Sequence, residues 1–221
     1  MFDIVIKRGR VVDGTGKLSL RADIGIAGGK IMKVGNLHQE EAKTTIDAKD
    51  LIVSPGFIDM HSHADLQLLD EPDNQAKIRQ GITTQVIGSC GLSIAPYNKA
   101  NLAFLKEYGS PILGESDLNW DWPSFGRYLR QLEKQGTITN IIPLVGQGTI
   151  RIAVMGMDDR PATPSELKEM KTLVALAMDE GSFGMSTGLI YPPGIYTKTD
   201  EIIELAKVVA LDGGIYSSHI R

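Results

Sequence analysis

Four side chains in this 221-residue sequence could bind a metal through nitrogen or sulfur. His61 and His63 stand one residue apart in "SPGFIDMHSHADL" (54–66), and residues two apart on a strand point the same way. Cys90, the only cysteine, ends a second apolar run, and His219 ends another. Imidazole and thiolate are typical zinc ligands. The pattern therefore predicts a metal site formed by these four side chains.

Each of the four also has a plainer interpretation. The histidine pair could be hydrogen-bonded loop residues, Cys90 an inert buried thiol, and His219 a structural histidine. Their shared location at strand ends favours the metal site. The fourth histidine, His38, lies in the polar stretch "NLHQEEAK" and is expected to be solvated.

Two different patterns divide the chain, and they predict two domains, 1–54 and 55–221. The first reads as short strands with a Gly-Gly hairpin at 28–29 and a weak helical period near 38–43. In the second, apolar strands alternate with capped amphipathic helices, which predicts an α/β fold with a parallel sheet. The predicted strands are 56–61, 83–90, 138–146, 182–189 and 213–220, and the predicted helices are 122–136, 163–181 and 199–213. In a β/α barrel, the carboxyl ends of the strands form the active-site face.

Composition and charge argue against several classes of function. A net charge of −4 without basic clusters gives no support for binding nucleic acid or an anionic membrane surface. No apolar run approaches the ~18 residues of a membrane span. A single cysteine favours a cytoplasmic location. No Gly-x-Ser-x-Gly elbow supports a serine nucleophile.

Two further residues near the predicted strand ends could contribute to a site. Asp65 could hydrogen-bond a metal-binding side chain, or it could be a solvated loop acid. Tyr191 follows the fourth strand in "STGLIYPPG", where two prolines stiffen the loop. It is either a packing residue or a phenol directed at a substrate.

The segments "PGFIDMHSHAD", "GSCGLSIAP", "FGMSTGLIYPPG" and "GGIYSSHIR" resemble the amidohydrolase superfamily, and within it the D-aminoacylase (N-acyl-D-amino-acid deacylase) branch. Dihydroorotases and hydantoinases use a carboxylated lysine on the fourth strand, whereas 182–189 contains no lysine. The resemblance implies a TIM-like (β/α)8 barrel. Residues 55–221 are then its first five strands, and 1–54 is part of a small β-sandwich.

The resemblance also implies roles for single residues. Cys90 and His219 match ligands of a tightly held Zn²⁺, His61 and His63 match ligands of a second, weaker metal position, and Tyr191 matches a substrate contact. Gln147 departs from the family, because related sequences often have histidine there.

The function implied is hydrolysis of the amide bond of N-acyl-D-amino acids by metal-activated water. The family's catalytic aspartate would lie beyond Arg221, so the chain is expected to need a missing C-terminal portion, or another chain that supplies it. Two alternatives stay open at this point. One is another amidohydrolase, either a cyclic amidase or a deaminase. The other is a truncated relative that binds metal without turnover.

Overall fold

The computed structural model describes residues 1–73 and 75–220, which form two compact units, Met1–Gly56 and Phe57–Arg221. The helices are α1 (Gln67–Asp70), α2 (Leu102–Leu113), α3 (Phe125–Gln135), α4 (Gln147–Met155), α5 (Pro164–Asp179) and α6 (Thr199–Leu211). None of the helices in these described ranges is long and apolar enough to span a membrane.

The first unit is built on one five-stranded sheet. Its strands are β1 (Phe2–Val11), β2 (Leu20–Ala27), β3 (Lys30–Gly35), β4 (Ala42–Asp47) and β5 (Ile52–Val53). The sheet order is β3-β2-β1-β4, and β5 also pairs with β1. The hairpin predicted at 28–29 joins β2 to β3, and both of its glycines have positive φ, as the turn requires. The weak helical period near 38–43 forms no helix, because β4 pairs with β1 from Ala42 onward.

The second unit contains parallel strands in sequence order. They are β6 (Phe57–Asp59), β7 (Ile82–Ile87), β8 (Asn140–Pro143), β9 (Val145–Gly146), β10 (Gly184–Gly188) and β11 (Ile215–His219). One sheet has the order β6-β7-β8 and the other has β9-β10-β11, with all pairs parallel. Only Leu144 separates β8 from β9, and its N–H donates to the Ile87 carbonyl at 3.0 Å. The α/β class with parallel strands is therefore confirmed.

The three helices predicted from caps are present as α3, α5 and α6. Thr163 caps α5 by accepting a hydrogen bond from the Glu166 N–H, while the Glu166 side chain accepts one from the Thr163 N–H. Three helices were not predicted: α1, α2 and α4.

The core of this unit lies between the strands and the helices that cover them. Its fully buried members include Ile87, Val145 and Met185 on strands, and Met170, Val174, Leu205 and Val209 on α5 and α6. Burial of these side chains stabilises the packing of helices on strands. Within each sheet the strands pair in parallel, so their carboxyl ends lie at the same edge, and the candidate site lies at these ends.

Candidate metal centre

Three of the predicted ligands converge at the ends of β6 and β7. The ring nitrogens of His61 and His63 and the sulfur of Cys90 offer ligand atoms that all lie within 4.8 Å of one another. The two imidazole rings meet edge to face, with centroids 5.2 Å apart. Among these donors, Sγ of Cys90 lies 3.1 Å from Nε2 of His61.

His219, the fourth predicted ligand, approaches the same sulfur from the end of β11. Its Nδ1 lies 3.6 Å from Sγ of Cys90. His219 does not belong to the group of His61, His63 and Cys90, whose ligand atoms all lie within 4.8 Å of one another. The rings of His219 and Tyr191 are perpendicular, with centroids 5.8 Å apart. The four side chains singled out from the sequence are thus in one neighbourhood, with Cys90 between the histidine pair and His219.

The spacing of the donor atoms fits a zinc ion. Ligand bonds of about 2.3 Å to sulfur and 2.0–2.1 Å to nitrogen, at a tetrahedral angle, set the two donors about 3.5 Å apart. The distance of 3.6 Å between Cys90 and His219 matches this value, and the 3.1 Å to His61 corresponds to a narrower angle. In addition, Nδ1 of His63 is buried and has no hydrogen-bond partner among the described residues, so it is free to bind an ion.

The pKa of His63 favours the same interpretation, whereas that of Cys90 opposes it until metal is bound. Burial lowers the pKa of His63, and the adjacent His61 and His219 lower it further, which favours the neutral imidazole that binds metals. Burial raises the pKa of the Cys90 thiol, an effect that a hydrogen bond from Tyr191 reduces. Because a thiol must lose its proton to bind zinc, loading the site should release a proton from Cys90.

The loop that carries Cys90, residues 88–91, passes directly over the ends of two strands. A Cβ atom on Gly188 would lie 2.1 Å from the carbonyl oxygen of Cys90, and one on Gly146 would lie 2.4 Å from that of Gly91. Neither glycine has positive φ, so the backbone conformation does not require glycine at these positions. What the loop requires is the space left by the absent side chains. A glycine inside a buried strand indicates that another stretch of backbone approaches closely. The sequence alone does not show that this stretch is the loop that carries Cys90.

Tyr191 lies against the same loop. Its hydroxyl donates to the carbonyl oxygen of Cys90 at 2.7 Å, and the hydroxyl of Tyr108 lies 3.4 Å from the carbonyl of Gly91. Tyr108 was not foreseen, because a lone tyrosine in a helix usually packs. Tyr191 is half-buried beside His219, so it lies next to the cluster while it also ties the loop down.

Asp65 is buried rather than solvated, at 1% exposure. Neither carboxylate oxygen makes a hydrogen bond of normal geometry with another described residue. Burial raises the pKa of Asp65 to about 7, and the nearby Gly88 amide opposes the shift only in part. The acid therefore lies close to the site, but the expected hydrogen bond to a histidine is absent from the part of the chain that is described.

Gln147, the position that departs from the family, belongs to a buried polar network. Its Nε2 donates to Oγ1 of Thr197 and to Oε1 of Glu201, both at 3.0 Å. The other oxygen of Glu201 pairs with Arg151 at 2.7 Å. This network joins the start of α4 to the start of α6, directly after the loop that carries Tyr191.

A sequence profile of the amidohydrolase family matches residues 44–207. The chain belongs to the amidohydrolase family. It is 39% identical to a D-aminoacylase and 40% identical to an N-acyl-D-glutamate deacylase, both from Alcaligenes xylosoxydans xylosoxydans. These matches cover 100% and 99% of the chain but only 44% of each relative.

A solved amidohydrolase structure gives the same result. The N-acyl-D-glutamate deacylase from Bordetella bronchiseptica, which holds zinc and a phosphonate mimic of the tetrahedral intermediate, superposes with a TM-score of 0.87 at 37% identity. The match covers 100% of this chain and 45% of that one. The resemblance to the D-aminoacylase branch is therefore confirmed, and the chain spans less than half the length of these relatives.

Proposed function

We propose that the protein containing this chain hydrolyses the amide bond of N-acyl-D-amino acids and depends on zinc to do so. The observation that carries the proposal is the sulfur of Cys90 between His61 and His219, at 3.1 and 3.6 Å, in a chain similar to D-aminoacylase over its whole length. A thiolate flanked by imidazoles is a donor set that suits zinc.

In this proposal Cys90 and His219 hold the tight metal position, and His61 and His63 hold a second, weaker one. When bound, zinc polarises the amide carbonyl and lowers the pKa of water to about 7. Burial lowers the pKa of His63, which favours the neutral imidazole that binds metal. Tyr191, beside His219, is the proposed contact for the substrate.

The remaining parts of the machinery belong to the proposal as well. Residues 55–221 form the first five strands of a (β/α)8 barrel, with β8 and β9 counted together as the third, and 1–54 form part of a small β-sandwich. The aspartate that moves the proton between water and leaving amine lies beyond Arg221. The relatives support this part of the proposal only through their length, since the chain covers 44% of each.

Of the alternatives, a cyclic amidase of the lysine-bridged type has less support. The segment 182–189, which contains β10, has no lysine to carry a carboxylate between two metals. A truncated relative without turnover differs from the proposed enzyme only in activity, so an assay separates them.

The test uses the complete protein, purified with zinc, and pairs of N-acetyl-D- and N-acetyl-L-amino acids. Release of free amino acid from the D-isomers alone is the expected result. Equal rates on both isomers, or hydrolysis of cyclic ureides only, would overturn the proposed substrate class. If the proposed aspartate belongs to the rest of the protein, residues 1–221 alone should show no turnover.

A further inference from the structure

This inference concerns Ser186, a residue with no assigned role, and it rests on the proposed function because it takes Cys90 as a metal ligand. Ser186 lies in the middle of β10 and is 0% exposed. Its hydroxyl accepts a hydrogen bond from the N–H of Gly91 at 2.8 Å and donates one to the carbonyl of Gly88. One hydroxyl therefore joins both ends of the loop that carries Cys90.

The backbone of that loop needs such support. Cys90 has φ +55°, a left-handed conformation that is unfavourable for a residue with a side chain. Conformations of this kind persist only where the surroundings fix them. Gly88 and Gly91, at the two ends of the loop, are also left-handed, with φ of +73° each. Glycine adopts many backbone conformations, so these two residues do not by themselves determine the path of the loop.

The same strand also fixes the other side of the site. Gly188 of β10 is in register with His219 of β11, and the N–H of Leu189 donates to the His219 carbonyl at 2.8 Å. Main-chain pairing thus positions His219, whereas Cys90 lies in a loop held by side chains: Tyr191 bonds the Cys90 carbonyl, and Ser186 bonds both ends of the loop. We propose that Ser186 is a positioning residue, whose hydroxyl holds the Cys90 sulfur at ligand distance from the imidazoles of His61 and His219.

Ser182 provides a matched control. It too is a buried serine next to β10, and its hydroxyl makes equivalent bonds: it accepts from the Val145 N–H at 3.1 Å and donates to the Gly184 carbonyl at 2.8 Å. These bonds lie at the opposite end of the strand. Ser182→Ala and Ser186→Ala therefore each remove a buried hydroxyl that accepts from a backbone N–H and donates to a carbonyl, but only the second affects the Cys90 loop.

The experiment measures the zinc dissociation constant of the complete protein by competition with a chelator. Loss of a group that orients a metal ligand typically weakens metal binding about 10- to 100-fold, and this is the expected result for Ser186→Ala. Ser182→Ala should bind zinc like the wild type. Cobalt(II) in place of zinc gives a second measurement, since the thiolate-to-cobalt absorption should weaken or shift in Ser186→Ala alone.

Equal zinc affinities in the two serine variants would overturn the positioning role. The proposed function is tested by a different measurement, because it concerns turnover and not zinc affinity. A wild type that binds zinc through Cys90 but does not hydrolyse N-acyl-D-amino acids would refute the proposed substrate and leave the role of Ser186 standing.

Discussion

The sulfur of Cys90 lies 3.1 Å from Nε2 of His61, although 29 positions of sequence separate the two residues. The contact is formed because β6 and β7 are parallel neighbours, so both chains leave the sheet at the same edge. A parallel sheet brings together the residues that follow its strands, whatever their distance in sequence. His219, 129 positions from Cys90, approaches the same sulfur from the end of β11, which belongs to the other sheet.

Removal of the sulfur should empty the tight metal position. We expect Cys90→Ala, in the complete protein, to lose most of its zinc after dialysis, because an imidazole alone is a weaker ligand set than imidazole with thiolate. Elemental analysis measures the zinc content of each variant. His38→Ala removes an exposed histidine of the first unit and is the control. Unchanged zinc in Cys90→Ala would show that the thiol is not a ligand.

The Cys90 loop should keep its path only while residue 188 is a glycine, which has no side chain. In Gly188→Ala the new methyl group would overlap the Cys90 carbonyl and the Tyr191 hydroxyl, so the loop must move. We expect a loss of about 1–3 kcal/mol in the free energy of unfolding, as for other overpacked sites, together with weaker zinc binding. Urea denaturation and chelator competition measure the two effects.

Gly109→Ala is the matched control for that substitution. Gly109 lies within α2, where the new methyl group would be 3.2 Å from a flexible leucine side chain, and alanine is the better helix former. Stability should therefore stay constant or rise. A Gly188→Ala variant as stable and as rich in zinc as Gly109→Ala would contradict the close approach of loop and strand.

The buried ion pair between Arg151 and Glu201 should contribute strongly to stability when one partner is removed. The side chains are 0% and 5% exposed, so Glu201→Gln leaves the charge of Arg151 buried without its counter-ion. The expected loss in the free energy of unfolding is about 3–5 kcal/mol. The Arg151→Met/Glu201→Gln double variant should lose less than the sum of the two single variants.

Glu204→Gln on the same helix controls for the substitution itself. Glu204 pairs with Lys171 and Lys207 at the surface, where solvent screens the charges, and its loss should change stability little. Denaturation curves that give Glu201→Gln and Glu204→Gln the same stability would contradict the importance of burial.

The capping box of α5 predicts a dependence of stability on pH. The Arg160 guanidinium, followed by the Thr163 amide, lowers the pKa of Glu166 to about 2, against about 4.3 in an unfolded chain. A lowered pKa means that the contribution is complete above pH ~4.3 and is lost as the pH falls toward about 2. The difference in stability between wild type and Glu166→Gln should therefore shrink below pH ~4.3. A difference that stays constant through this range would rule out the ion pair as its source.

The sequence predicted those parts of the site that follow strands. His61, His63, Cys90 and His219 each follow or end an apolar run, and parallel pairing of β6 with β7 accounts for the approach of Cys90 to the histidine pair. The helix α5 was equally readable, because its capping box is encoded in four consecutive residues, 163–166. Both predictions depend on patterns within short stretches of sequence, and long-range contacts in the structure do not override these patterns.

Other features depend on contacts that a single sequence does not specify. The helix α4 begins at Gln147 directly after β9, has no side-chain cap, and is buried over nearly all of its residues, so it has no solvent-exposed face. The burial of Asp65 was equally hidden, because an aspartate in a histidine-containing turn looks like a surface residue. The two hydrogen bonds of Ser186 join segments about 95 positions apart, which no local pattern indicates.

The order of the strands has a consequence for how the metal site forms in the cell. Because the strands within each sheet of the second unit pair in sequence order, both sheets can grow as the ribosome releases the chain. At roughly 5–20 residues per second, the 129 positions between Cys90 and His219 take roughly 6–26 seconds to synthesise. During that interval the nascent chain carries a thiol and two imidazoles without the fourth ligand, and it is then most exposed to oxidation and to capture of the wrong metal.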